Sequence, residues 1–85
     1  MRVCFFGEME RLYGSKSVEI ALGHPTTLTR ILALLTAMQP DFAACWKDRE
    51  LEDCLLVMCA KRICRADDVF SDDDELIIAS PMDGG

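Results

Sequence analysis

Between Pro25 and Pro40 the chain carries the periodicity that most constrains its fold. Leu28, Ile31, Leu32, Leu35 and Met38 fall at the i, i+3, i+4, i+7, i+10 spacing of one helix face. Thr26 or Thr27 can supply the N-cap oxygen. Pro40 lacks an N–H and clashes with the preceding turn, so it stops the helix. A helix with one apolar face must bury it, and a chain of 85 residues needs that Leu/Met stripe for its own core rather than as a groove for a partner.

What the helix covers is read from the segments around it. Residues 2–6 are rich in β-branched and aromatic side chains and end at Gly7, which predicts a first strand. Residues 8–13 make a helical turn or a loop before Gly14, and residues 16–22 alternate polar and apolar as a half-exposed second strand. Residues 41–46 predict a short second helix in which Trp46 anchors the segment to the body of the domain. After a polar loop at 47–50, residues 54–60 are apolar without alternation and read as a strand covered on both faces. Lys61-Arg62 is its turn, and Ile63-Cys64 a short return. Leu76-Ile77-Ile78-Ala79 is the last strand. The order predicts a single α+β domain over 1–85: a mixed β-sheet of four to five strands, the first and last central, with one main helix packed on one face.

Charge and composition narrow the function. The formal charge of −6 disfavours nucleic acid and anionic membrane, which select basic patches, and favours a basic protein partner. So small a domain has little room for an enclosed active site, so an enzyme acting alone is the less favoured class. Met1 leads into an alternating apolar segment without a signal-type or membrane-spanning run, which makes the cytoplasm the expected location. Five cysteines, Cys4, Cys45, Cys54, Cys59 and Cys64, form no C-x-x-C and are odd in number. They read as reduced thiols packed as small hydrophobes, with a metal or redox role for Cys54, Cys59 and Cys64 as the alternative. The acidic run at 67–75 lacks the alternation and the glycine of a calcium loop. It reads as turn residues that bond their own backbone, or as an acidic face for a basic partner. His24 stands in a loop with no nucleophile beside it in any motif.

The end of the chain carries the chemistry. Pro81 suits the point where a strand leaves its sheet, and Gly84-Gly85, without Cβ atoms, let residues 80–85 enter a narrow channel as a flexible tail. The reactive group would be the Gly85 carboxylate.

With this order and this tail, the chain resembles the ubiquitin-like β-grasp sulfur carriers of the MoaD/ThiS family, most closely the small, MoaD-type subunit of molybdopterin synthase. The resemblance spans nearly the whole chain. It rests on Val3-Cys4-Phe5-Phe6-Gly7, on Glu10-Arg11-Leu12-Tyr13-Gly14, on Pro25-Thr26-Thr27-Leu28, and on Asp73-Asp74-Glu75-Leu76-Ile77-Ile78 followed by Pro81-Met82-Asp83-Gly84-Gly85. Two places depart from the family pattern. Cys59-Ala60-Lys61-Arg62 replaces an asparagine- and glycine-bearing hairpin, and Ser80 stands where a first proline is common.

The resemblance implies that a partner adenylating enzyme uses ATP to activate the Gly85 carboxylate and that a sulfur donor makes the thiocarboxylate. Gly84 and Gly85 would then reach into the large catalytic subunit of a heterotetramer, where sulfur passes to cyclic pyranopterin monophosphate. Pro81, Met82 and Asp83 would meet the partner's entrance. The chain would bind no cofactor and would not be an enzyme alone. Sulfur carriage for thiamine, siderophores or tRNA thiolation, and a ubiquitin-like modifier joined to lysine amines, are the alternatives.

Overall fold

The computed structural model describes residues 1–81, apart from the side chain of Glu52. Strands β1 (Arg2–Phe5), β2 (Ser17–Glu19), β4 (Leu56–Cys59), β5 (Arg62–Ile63) and β7 (Glu75–Ala79) form one mixed sheet in the order β2-β1-β7-β4-β5. β1 and β7 pair in parallel and the other neighbours antiparallel, so the first and last strands lie side by side inside the sheet as expected. A second ribbon pairs β3 (Thr26–Thr27) with β6 (Val69–Phe70). It fixes the start of α2 (Leu28–Met38), because the N–H groups of Leu28 and Thr29 donate to the carbonyls of Asp68 and Ala66 at 2.9 and 3.2 Å.

Thr27 caps α2, its hydroxyl oxygen accepting from the Arg30 N–H at 3.3 Å. Leu28, Ile31, Leu32 and Leu35 are buried against the sheet, but Met38 is 53% exposed and leaves the stripe one residue short. The core at that end is filled by Phe42 instead, carried in by a 3₁₀ turn at Pro40–Phe42. Phe42 meets the ring of Tyr13 edge-on at 5.2 Å, and Tyr13 stacks on Phe5 at 4.1 Å. Tyr13 ends α1 (Glu8–Tyr13), and its hydroxyl donates to the Leu35 carbonyl at 2.9 Å, tying that helix to α2.

Trp46, at the end of α3 (Ala43–Trp46), is half-buried, and its indole N–H donates to the Thr36 hydroxyl at 2.9 Å. This is the anchoring expected of it. The chain then makes a helical turn, α4 (Leu51–Cys54), where the sequence predicted that a strand would already be starting at Cys54. The N–H groups of Asp53 and Leu55 bond back to Glu50 and Leu51, so β4 begins only at Leu56.

The second strand is also shorter than residues 16–22. After Ile20 the backbone is drawn away, because the N–H groups of Leu22 and Gly23 donate to the Asp72 carboxylate at 2.8 and 3.1 Å. These two bonds, with a third from the Met1 ammonium, hold the Asp72 carboxyl below the usual carboxylate range. Their contribution is in place above the ordinary Asp pKa and is lost as pH falls through the depressed one. Asp68 accepts from the Arg65 N–H and Asp74 from the Ser71 N–H, which bears out the reading of the acidic run as turn residues.

The β4–β5 turn is Ala60-Lys61, one residue earlier than predicted, because Cys59 pairs with Arg62. Both turn residues have positive φ, 51° and 68°, the left-handed geometry of a two-residue hairpin that asparagine and glycine normally supply. An L-residue with a Cβ is strained there by roughly 1–2 kcal/mol. Lys61→Gly is therefore expected to stabilise the domain by about 1 kcal/mol, raising its melting midpoint by ~4–8 °C. A lowered midpoint in a thermal melt would show that the turn is relaxed as it stands.

Candidate docking face and carrier tail

The five-stranded sheet has one face against the helices and one that is open. Val3, Phe5, Val57, Leu76 and Ile78 point into the core and are at most 5% exposed. Alternation along each strand sends the residues between them to the other side. There Cys4, Ile77, Met58 and Ile63 stand in register across β1, β7, β4 and β5, each opposite the next. Ile77 is 44% and Ile63 62% exposed, with Cys4 and Met58 half-buried. The covered strand expected at residues 54–60 is thus covered on one face only. An apolar row left open across four strands is the kind of patch that marks a protein contact.

The tail leaves from the same strand. β7 ends at Ala79, Ser80 is half-buried and Pro81 is exposed. Phe6, 63% exposed, stands beside this exit, its N–H donating to the Ile78 carbonyl at 2.9 Å. Of the sequence-predicted site residues only Pro81 falls within the described structure; Met82, Asp83, Gly84 and Gly85 lie outside the described residues. The open row of Cys4, Ile77, Met58 and Ile63 was not singled out in the sequence. Its signal was the lack of alternation at 54–60 and 76–79, which marks strands apolar on both faces.

No protein-family model matches the chain, and no curated protein matches it at a significant level. Solved structures do. Two crystal structures of the small archaeal modifier protein SAMP1 from Haloferax volcanii superpose with TM-scores of 0.83 and 0.82 at 23% and 22% identity. The first covers 100% of this chain and 98% of the other, the second 95% of each. A Pyrococcus furiosus protein provisionally designated molybdopterin converting factor, subunit 1, superposes with a TM-score of 0.78 at 18% identity over 94% of both chains. The fold is the ubiquitin-like β-grasp.

In this β-grasp the cysteines do not gather into a site. Among the described residues no group of three or more His, Cys, Asp or Glu side chains is placed to hold a metal ion. Cys54 and Cys64 are buried, and burial pushes their thiols up, as it does that of half-buried Cys45, which keeps all three as thiols rather than nucleophilic thiolates. His24 is exposed on the loop before β3. Among the described residues, no helix of the β-grasp is long and apolar enough to cross a membrane.

Proposed function

We propose that this β-grasp protein is a sulfur carrier, the small subunit of a molybdopterin synthase. The observation that supports it best is that one strand, β7, contributes to the open apolar row and ends at the root of the tail. A partner seated on that row would receive residues 80–85 at its edge, so docking and delivery are coupled through a rigid strand. A Gly85 carboxylate oxygen attacks the α-phosphorus of ATP on the adenylating enzyme, pyrophosphate leaves, and hydrosulfide from the sulfur donor attacks the acyl carbon, displacing AMP. The resulting thiocarboxylate is nucleophilic at neutral pH without a side-chain base, which fits a domain whose described residues hold no metal site and whose buried thiols are unactivated. In the large catalytic subunit it would transfer sulfur to cyclic pyranopterin monophosphate. Acid–base groups and ATP belong to the partners.

A second reading has its own support in the likeness to a small archaeal modifier protein. There the same adenylate would be captured through further steps by a lysine amine, joining Gly85 to another protein. The proteins that co-purify with the chain separate these readings. A large molybdopterin synthase subunit carries the first, a thiazole-forming enzyme moves the carrier to thiamine, and a ladder of Gly85–lysine conjugates carries the second.

Docking through the sheet makes a further prediction. Ile77→Asp puts a charge at the centre of the open row, and it is expected to weaken partner binding by about 2 kcal/mol or more, roughly thirty-fold. The side chain is 44% exposed but stands on the central strand, so stability should fall by about 1–2 kcal/mol while the domain still melts cooperatively. Calorimetric titration with the co-purified partner, beside a thermal melt, checks both; undiminished binding would place the contact elsewhere.

A further inference from the structure

At the end of β7 away from the tail, the open face deepens into a groove of about 480 Å³. Its floor is Met58 and Ile77, two members of the apolar row, and its rim carries Asp73, Asp74, Glu75 and Lys61. Three acidic residues and one lysine therefore line it. Asp74 spends one oxygen on the Ser71 N–H, whereas Asp73 and Glu75 are exposed and, among the described residues, have no cation within ion-pair distance. Arg2 stands opposite Glu75 in the register of β1 and β7, yet no ion pair joins them. An apolar floor under an acidic rim suits a long aliphatic stem that ends in a cation.

We infer that this groove takes a lysine or arginine side chain of the protein that receives the tail, an inference that rests on the carrier reading above. The charge decides against a second copy of this chain, which carries the same net −6, and against any polyanion. The groove is continuous with the docking row through Met58 and Ile77, so its occupant belongs to the partner already seated there. Glu75 and Ala79 are four residues apart on one strand, about 13 Å at the usual rise. The cation holds one end of the face and the tail leaves from the other, so the pair fixes the direction in which the partner lies along β7. With the apolar row alone, a partner could seat in either sense.

The test uses the full chain, ¹⁵N-labelled, titrated with n-butylguanidinium as a stand-in for the side chain, and with guanidinium and n-butylurea as controls lacking the stem or the charge. Butylguanidinium is expected to shift amides of the β4–β5 turn and of the segment entering β7, with either control weaker. Combined Asp73→Asn and Glu75→Gln should weaken this response about fivefold or more, the scale of removing facing charges at a solvated site. Shifts scattered over the surface, an equal response to butylurea, or preferential occupation by calcium ion would overturn the inference. Thiocarboxylate formation at Gly85 is read separately by mass, so a groove that fails this test leaves the carrier reading standing, and a tail that fails to load leaves the groove result intact.

Discussion

Phe42→Ala is expected to destabilise the domain by about 3–5 kcal/mol, the scale of truncating a buried aromatic without collapse of the space it leaves. Phe42 has no exposed surface, and its ring completes a cluster with Phe5 and Tyr13, so three separate segments lose packing together. For a domain whose whole stability is of order 5–15 kcal/mol, that removes a large share and lowers the melting midpoint by tens of degrees. Met38→Ala is the paired control. It lies in the same predicted stripe as Leu35 but is 53% exposed, and its loss should change stability by only about 0.5 kcal/mol. Urea unfolding of both variants measures this. Equal losses would mean that the helix turns the full predicted face to the core.

The larger functional effect is expected at the tail. Appending one residue after Gly85 moves the carboxylate by up to about 3.6 Å, and misplacement of a reacting group by ~1 Å already reduces rates by about a hundredfold. Loading with sulfur should therefore fall by more than about a hundredfold, and deletion of Gly85 should do the same. The melting midpoint should be unchanged, since the sheet ends at Ala79. Normal loading of either variant would show that the terminal carboxylate is not the group that reacts.

Much of this architecture was legible because long periodic segments report their surroundings. The face of α2 and the apolar strands at both ends of the chain carried the fold, and Thr27 and Trp46 act where the sequence put them. What was hidden has physical reasons. β3, β6 and α4 are two to four residues long and have no period to read. Asp72 draws Leu22 and Gly23 out of β2 across some fifty residues of sequence, a capping contact that no local pattern announces. The β4–β5 turn falls on alanine and lysine, neither of which favours positive φ, so its position could not be told from turn chemistry. The open face was half legible: the unbroken apolar character of residues 54–60 was plain, but it was read as a strand covered on both faces within the domain. For the site itself, Pro81 is placed at the exit from the sheet, while Met82, Asp83, Gly84 and Gly85 rest on the sequence and the chemistry of a terminal carboxylate.

Whether this β-grasp carries sulfur on its last residue is decided by the mass of its C-terminal peptide. The protein is incubated with ATP, its cognate adenylating enzyme and a sulfur donor, then digested and weighed peptide by peptide. An oxygen-to-sulfur mass increase is expected, confined to the peptide that ends in Gly85. An unchanged C-terminal peptide, with sulfur appearing instead on Cys54, Cys59 or Cys64, would contradict it.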